Sequence, residues 1–178
     1  MGGMPGAMNV PKYPDAKQAN SFQEGLEYQD FVLEHLAKNY GLVFQTFSSR
    51  AYQWGKGEGV QPFEIKLDNW CTTSRRLSIE IAEKTRADNP NWIPSGIMRE
   101  DETLFYIHGN KETFWIFFKK HLTYIFEHEA PEVFESRGTI RKFYIPIERA
   151  DKLGVRIDCK KGKRNAPDTG IAGSGVST

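Results

Sequence analysis

The chain carries only two cysteines, Cys71 and Cys159, in no repeated or Cys-x-x-Cys spacing. That leaves no zinc motif and makes free thiols the expectation over a disulfide. No apolar run is long enough to cross a bilayer. Residues 1–20 lack the charged start and apolar centre of a secretory signal and are rich in Gly and Pro, so a flexible lead on a cytoplasmic protein is expected. The formal net charge is only +1; the basic excess usual in polyanion binders would have to be a local patch. The four histidines include no His-Glu-x-x-His pattern, and His121 and His128 lack a third ligand at metal spacing. Gly55, Gly57 and Gly59 lead into Pro62 and a strand, where a phosphate loop would need a helix N-terminus. Serine hydrolase signals are missing as well.

What is present fits one soluble domain. A chain of 178 residues, 39% hydrophobic and 26% charged, can bury a real core. Ser21 to Glu24 reads as a capping box. Phe22, Leu26, Val32, Leu33, Leu36 and Tyr40 then recur at helical spacing up to Gly41, predicting a helix over 22–39. A strand is expected over 42–47, then a basic, aromatic and glycine-rich connection. Past Lys84, two prolines, a glycine and asparagines predict a long loop with one helical turn at most. A hairpin around Gly109-Asn110 follows, with strands over 103–108 and 112–118, the second buried on both faces. A helix over 119–128 closed by Pro131, a strand over 139–146, a helix over 147–153 and a strand over 155–158 complete the domain, set at 21–158. Residues 159–178, polar and basic at their start, read as a disordered tail.

The central stretch carries the chemistry. Phe63, Ile65 and Leu67 alternate with Glu64, Lys66 and Asp68, and Leu77, Ile79 and Ile81 alternate with Ser78, Glu80 and Ala82. Two period-two runs around a polar turn predict a β-hairpin with one apolar and one ionic face. Paired antiparallel, they would set Glu64, Asp68, Glu80 and Lys66 on one surface. Clustered carboxylates beside a lysine suit a divalent metal and a phosphodiester; they equally suit an ordinary solvated strand face.

The order of helix, three strands and further elements predicts an α+β fold, a central mixed sheet flanked by helices. With its ionic strand face, it resembles the PD-(D/E)XK nuclease superfamily over about residues 22–128. The resemblance implies a restriction-endonuclease-like core that hydrolyses DNA phosphodiester bonds with Mg²⁺ or Mn²⁺. Glu64, after Pro62 and Phe63, would stand for the family's first acid, with Asp68 its rival, and Glu80 for the second. Glu27 resembles the helical acid that many members contribute to the metal, and Glu58 could join it. Where the family has its lysine, this chain has Ala82. Lys84, roughly 13 Å in strand rise from Glu80, and Lys66 across the expected hairpin are the replacements, Lys66 being the better placed.

Arg75, Arg76, Lys119, Lys120, Lys160 and Lys161 are candidates for phosphate contacts. Arg137, Arg141, Lys142, Lys163 and Arg164 are further basic residues. Tyr52, Trp54, Trp70 and Trp92 could stack on bases or anchor core and loops. The expected partner is DNA, and the family implies a homodimer where both strands of a duplex are cut. The displaced lysine and near-neutral charge fit a second reading, an inactive nuclease-like fold that binds nucleic acid or protein. A purely structural domain with a charged strand face is the third.

Overall fold

The structure is a computed structural model and describes residues 16–45 and 62–159. Helix α1 (Ala16–Tyr40) is followed by β1 (Phe63–Leu67), the helical turn α2 (Cys71–Ser74), β2 (Arg76–Glu83), a short β3 (Ile93–Pro94) and a 3₁₀ turn (Gly96–Met98). Then come β4 (Phe105–Gly109), β5 (Thr113–Phe118), α3 (Lys119–Glu129), β6 (Phe134–Ser136), β7 (Ile140–Pro146), α4 (Ile147–Leu153) and β8 (Val155–Asp158). The fold is α+β, as expected, but the strands form two four-stranded sheets, ordered β1-β4-β5-β8 and β3-β2-β7-β6. The first is mixed, because β1 runs parallel to β4 while β4, β5 and β8 pair antiparallel. The second is antiparallel throughout.

Helix α1 starts at Ala16, ahead of the Ser21 expected to cap it, and ends at Gly41, whose φ of +68° gives the left-handed stop. Tyr28, Val32 and Leu36, one turn apart, are fully buried. They pack with Phe63, Ile65, Ile107, Phe114 and Ile157 on one face of the mixed sheet. Its other face supplies Tyr106, Trp115 and Phe117 to a second core with Leu77, Ile79, Ile81, Phe143 and Ile145 of the antiparallel sheet, closed by Leu122 and Ile125 of α3 and Ile147 and Ala150 of α4. Strand β5 feeds both cores, which explains its nearly continuous apolar run.

The expected hairpin between residues 63–68 and 77–82 does not form: β1 and β2 lie in different sheets. Strand β2 keeps the predicted alternation, with Leu77, Ile79 and Ile81 buried, whereas in β1 Glu64 is buried together with Phe63 and Ile65. The connection is no tight turn, however, since Asn69-Trp70, α2 and the left-handed Arg75 (φ +54°) carry the chain from one sheet to the other. Period two fixes which face is buried and leaves the pairing partner open. The strand expected over 42–47 is absent as far as residue 45, and its last two residues lie outside the described ones. The β4–β5 hairpin, α3, α4 and β8 form where expected, and the loop after Lys84 holds only β3 and the 3₁₀ turn. Both cysteines are free, Cys71 buried, and burial, with the Asp68 charge adding to it, pushes the Cys71 thiol up to about 12. Among the described residues no helix is long and apolar enough to cross a membrane.

Candidate functional site

Although β1 and β2 do not pair, they meet at one groove of about 360 Å³ where the two sheets adjoin. Lys66 and Asp68 reach it from β1 and its end, Ser78 and Glu80 from β2, His108 from β4, and Arg137 and Lys142 from the β6–β7 hairpin. Asp68 is the tie between the sheets. Its amide donates to the Gly109 carbonyl at 2.7 Å, prolonging the β1–β4 pairing. Its Oδ1 accepts from the Trp70 amide at 3.1 Å, opening the turn into α2, and its Oδ2 accepts from the Ser78 amide at 3.0 Å. His108 Nε2 stands 3.4 Å from the same Oδ2. Burial by itself would raise the Asp68 pKa; the hydrogen bond and charge of His108 and the two amides outweigh it and hold the carboxyl below its usual range.

Glu80 sits at an irregularity: the β2–β7 register shifts between Glu80 and Ala82, which re-aims side chains at this point. The Ser95 hydroxyl donates to Glu80 Oε1 at 2.6 Å, and the Ser95 amide donates to the Ile81 carbonyl at 3.1 Å. The next residue, Gly96, has φ +52°, and a Cβ there would lie 2.3 Å from the Glu80 carbonyl oxygen. Only glycine permits so close an approach in that conformation. The segment Ser95-Gly96 therefore clamps both backbone and carboxylate of Glu80.

Glu64, expected beside Asp68 and Glu80, is instead fully buried. One carboxylate oxygen is 2.8 Å from Lys66 Nζ and the other 3.4 Å from Arg99 Nη2; neither accepts a well-aligned hydrogen bond. Arg99 Nε continues to Asp101 at 2.7 Å, and Asp101 to Lys119 Nζ at 2.6 Å. Lys119 Nζ also donates to the Arg99 carbonyl at 2.6 Å. The result is a buried ladder of alternating charge, Lys66–Glu64–Arg99–Asp101–Lys119, with Lys66 at its groove end. Burial opposes ionisation of Asp101 but is outweighed by Lys119, Arg99 and the Thr103 amide, so its pKa is lowered.

The remaining candidates are dispersed. Glu27 lines a separate recess with Thr72 and Asn110, while Glu24, one turn earlier on α1, borders both it and the groove. Lys84 lies over the Trp92 ring, 4.6 Å from its centroid, and that ring also carries Arg141 at 4.2 Å. Arg75 pairs with Glu148 and Arg76 stacks on Tyr144 at 3.8 Å. Lys119 is buried in the ladder; Lys120 is exposed. Glu58, Tyr52, Trp54, Lys160, Lys161, Lys163 and Arg164 lie outside the described residues. His121 packs edge-on against Phe118, and His128 stacks on Tyr124. The sequence reading passed over Ser95, Arg99, Asp101 and His108. Each is a single polar residue in a loop or apolar strand, and only Ser95-Gly96 carried a local signal.

Among the described residues no three His, Cys, Asp or Glu side chains are grouped closely enough to form a metal cage. The donors facing the groove nonetheless fit a hard cation of the Mg²⁺ type, which takes one or two carboxylates and completes its shell with water and phosphate oxygens. Asp68 and Glu80 each present a carboxylate to the groove, and the hydroxyl and amides that grip them leave lone pairs over. Comparison with family models, curated proteins and solved structures gives no match for this chain.

Proposed function

We propose that the groove is a phosphodiester site and the protein a metal-dependent nuclease acting on DNA, a divergent relative of the PD-(D/E)XK enzymes with their core elaborated into two sheets. The observation that carries the reading is the convergence of Lys66, Asp68 and Glu80, from strands of different sheets, on one groove. A structural surface has no need to hold a carboxylate in place with a buried serine and a glycine of left-handed conformation. Asp68 and Glu80 would hold Mg²⁺ or Mn²⁺. Bound there, such an ion polarises a phosphoryl oxygen and lowers the pKa of a coordinated water. Lys66, fixed by Glu64, places positive charge where negative charge grows on the phosphate. His108 and the Ser78 amide keep Asp68 ionised and oriented. Incubating the protein with plasmid, branched and single-stranded DNA in Mg²⁺ or Mn²⁺ tests the reading; cleavage supports it. No cleavage, together with no heat of metal binding, rules it out.

A second reading, a nuclease-like fold that binds without cutting, is favoured by Ala82 at the family's lysine position and by Asp68, both of whose oxygens already accept protein donors. Salt-sensitive DNA binding without cleavage in either metal would select it.

A further inference from the structure

Two exposed arginines of the antiparallel sheet differ from the other arginines among the described residues. Arg75, Arg86, Arg99, Arg141, Arg149 and Arg156 each pair with a carboxylate. The two other arginines of the described residues, Arg76 and Arg137, have no carboxylate partner among those residues. Both are exposed and both belong to the antiparallel sheet and its β6–β7 turn. Arg137 and Lys142 line the groove itself. Lys142 lies opposite both Glu80 and Phe134 in the strand registers, and Tyr144 lies opposite Ser78, so these side chains share the groove face. The Tyr144 ring takes Arg76 of β2 at 3.8 Å and Lys142 of β7 at 5.4 Å, which gathers the two cations around one ring.

Arg137 adds an independent sign. The turn Ser136–Thr139 closes with a Thr139 amide to Ser136 carbonyl bond at 3.1 Å, and its central residues Arg137 and Gly138 have φ of +54° and +68°. Such a turn favours Asn-Gly, so arginine is a poor choice for its first central position. A strained residue holding a charge at a groove mouth is a pointer to use, since folding alone would select asparagine or glycine. Beside these cations stand two rings open to solvent: Trp70, 73% exposed and lining the groove, and Phe134, 36% exposed and packed at 5.1 Å against the Tyr144 ring.

We propose that Arg76, Arg137 and Lys142 form a phosphate track for one unpaired strand of nucleic acid crossing β2, β7 and β6 into the groove, with Trp70 and Phe134 stacking on its bases. The proposal rests on the reading of the groove as a nucleic-acid site and narrows its substrate. A phosphate track alone serves duplex or single strand, but exposed rings beside it reach base faces that only an unpaired strand presents. A single strand also needs only one groove, so no dimer is required.

The test is fluorescence anisotropy of the full chain with a labelled oligonucleotide, single-stranded or annealed to its complement, in EDTA to prevent cleavage. The single strand binds more tightly than the duplex. Arg76→Ala and Lys142→Ala each lower the salt slope by about 0.7 and weaken binding about fivefold at 0.1 M salt. Trp70→Ala weakens it about tenfold. Arg137→Asn raises the thermal midpoint, because asparagine suits the turn, yet weakens binding, which separates recognition from folding. Single-strand binding left unchanged by the three cation substitutions overturns the track while the nucleic-acid reading stands. Duplex bound as tightly as single strand overturns the choice of substrate. No binding to either overturns the nucleic-acid reading and this inference with it.

Discussion

Ser95 donates its hydroxyl to Glu80 Oε1 at 2.6 Å from a buried position, joining the loop after β3 to the irregular point of β2. Removing the hydroxyl leaves the carboxylate without its fixed donor. Ser95→Ala is expected to lower stability by about 1–2 kcal/mol in urea titrations and to reduce metal-dependent cleavage by more than that loss explains.

Gly96 is expected to tolerate no side chain. Gly96→Ala combines a φ of +52° with a 2.3 Å approach to the Glu80 carbonyl. The cost is about 2–4 kcal/mol by chemical denaturation, the sum of a strained backbone and a forced shift. The same substitution at Gly25, which has open space around it, raises stability slightly, because alanine suits a helix interior better than glycine does.

The buried ladder predicts a compensating pair. Arg99→Met takes the cation from both Glu64 and Asp101 and should destabilise by about 3–5 kcal/mol, since the buried carboxylates of both residues are left with one partner fewer. Adding Glu64→Gln removes one of those charges, and the double variant should recover part of the loss. Thermal unfolding of the four proteins of the cycle measures it.

Acid should loosen both sites in a defined window. Asp68 and Asp101 have pKa values held below the ordinary range, burial being outweighed by His108 and amide donors at one and by Lys119 and Arg99 at the other. A depressed folded pKa contributes stability that is complete above the unfolded value of about 3.9 and is lost as pH falls through the folded value. Urea midpoints should therefore drop below about pH 4, and Asp68→Asn should be less stable at neutral pH with a shallower drop. An unchanged drop in Asp68→Asn would assign the acid sensitivity elsewhere.

Much of the secondary structure was legible because it depends on local pattern. Gly109-Asn110 marked a hairpin, Gly41 a helix end, and the run Trp115-Ile116-Phe117-Phe118 a strand buried on both sides. Pairing was not legible. Phe63 and Leu77 alternate with their neighbours in the same way whether β1 meets β2 or β4, and the choice is made by packing of α1 on one sheet and α3 with α4 on the other. Two of the three acids expected together, Asp68 and Glu80, do share a groove, across sheets instead of along a hairpin. Glu64 was misplaced because an acid on an alternating strand reads as solvated. Its burial depends on Arg99, from a loop far along the chain that no strand period announces.

The central claim is that Glu80 and Asp68 act together on a phosphodiester, and the rate of DNA cleavage by Glu80→Gln relative to wild type in the same Mg²⁺ or Mn²⁺ buffer tests it most directly. Glutamine keeps the Ser95 hydrogen bond and the shape of the side chain, so the fold is retained while the charge that would hold the cation is removed. The account predicts a fall in rate of at least about a hundredfold; a Glu80→Gln protein that cuts as fast as wild type would contradict it.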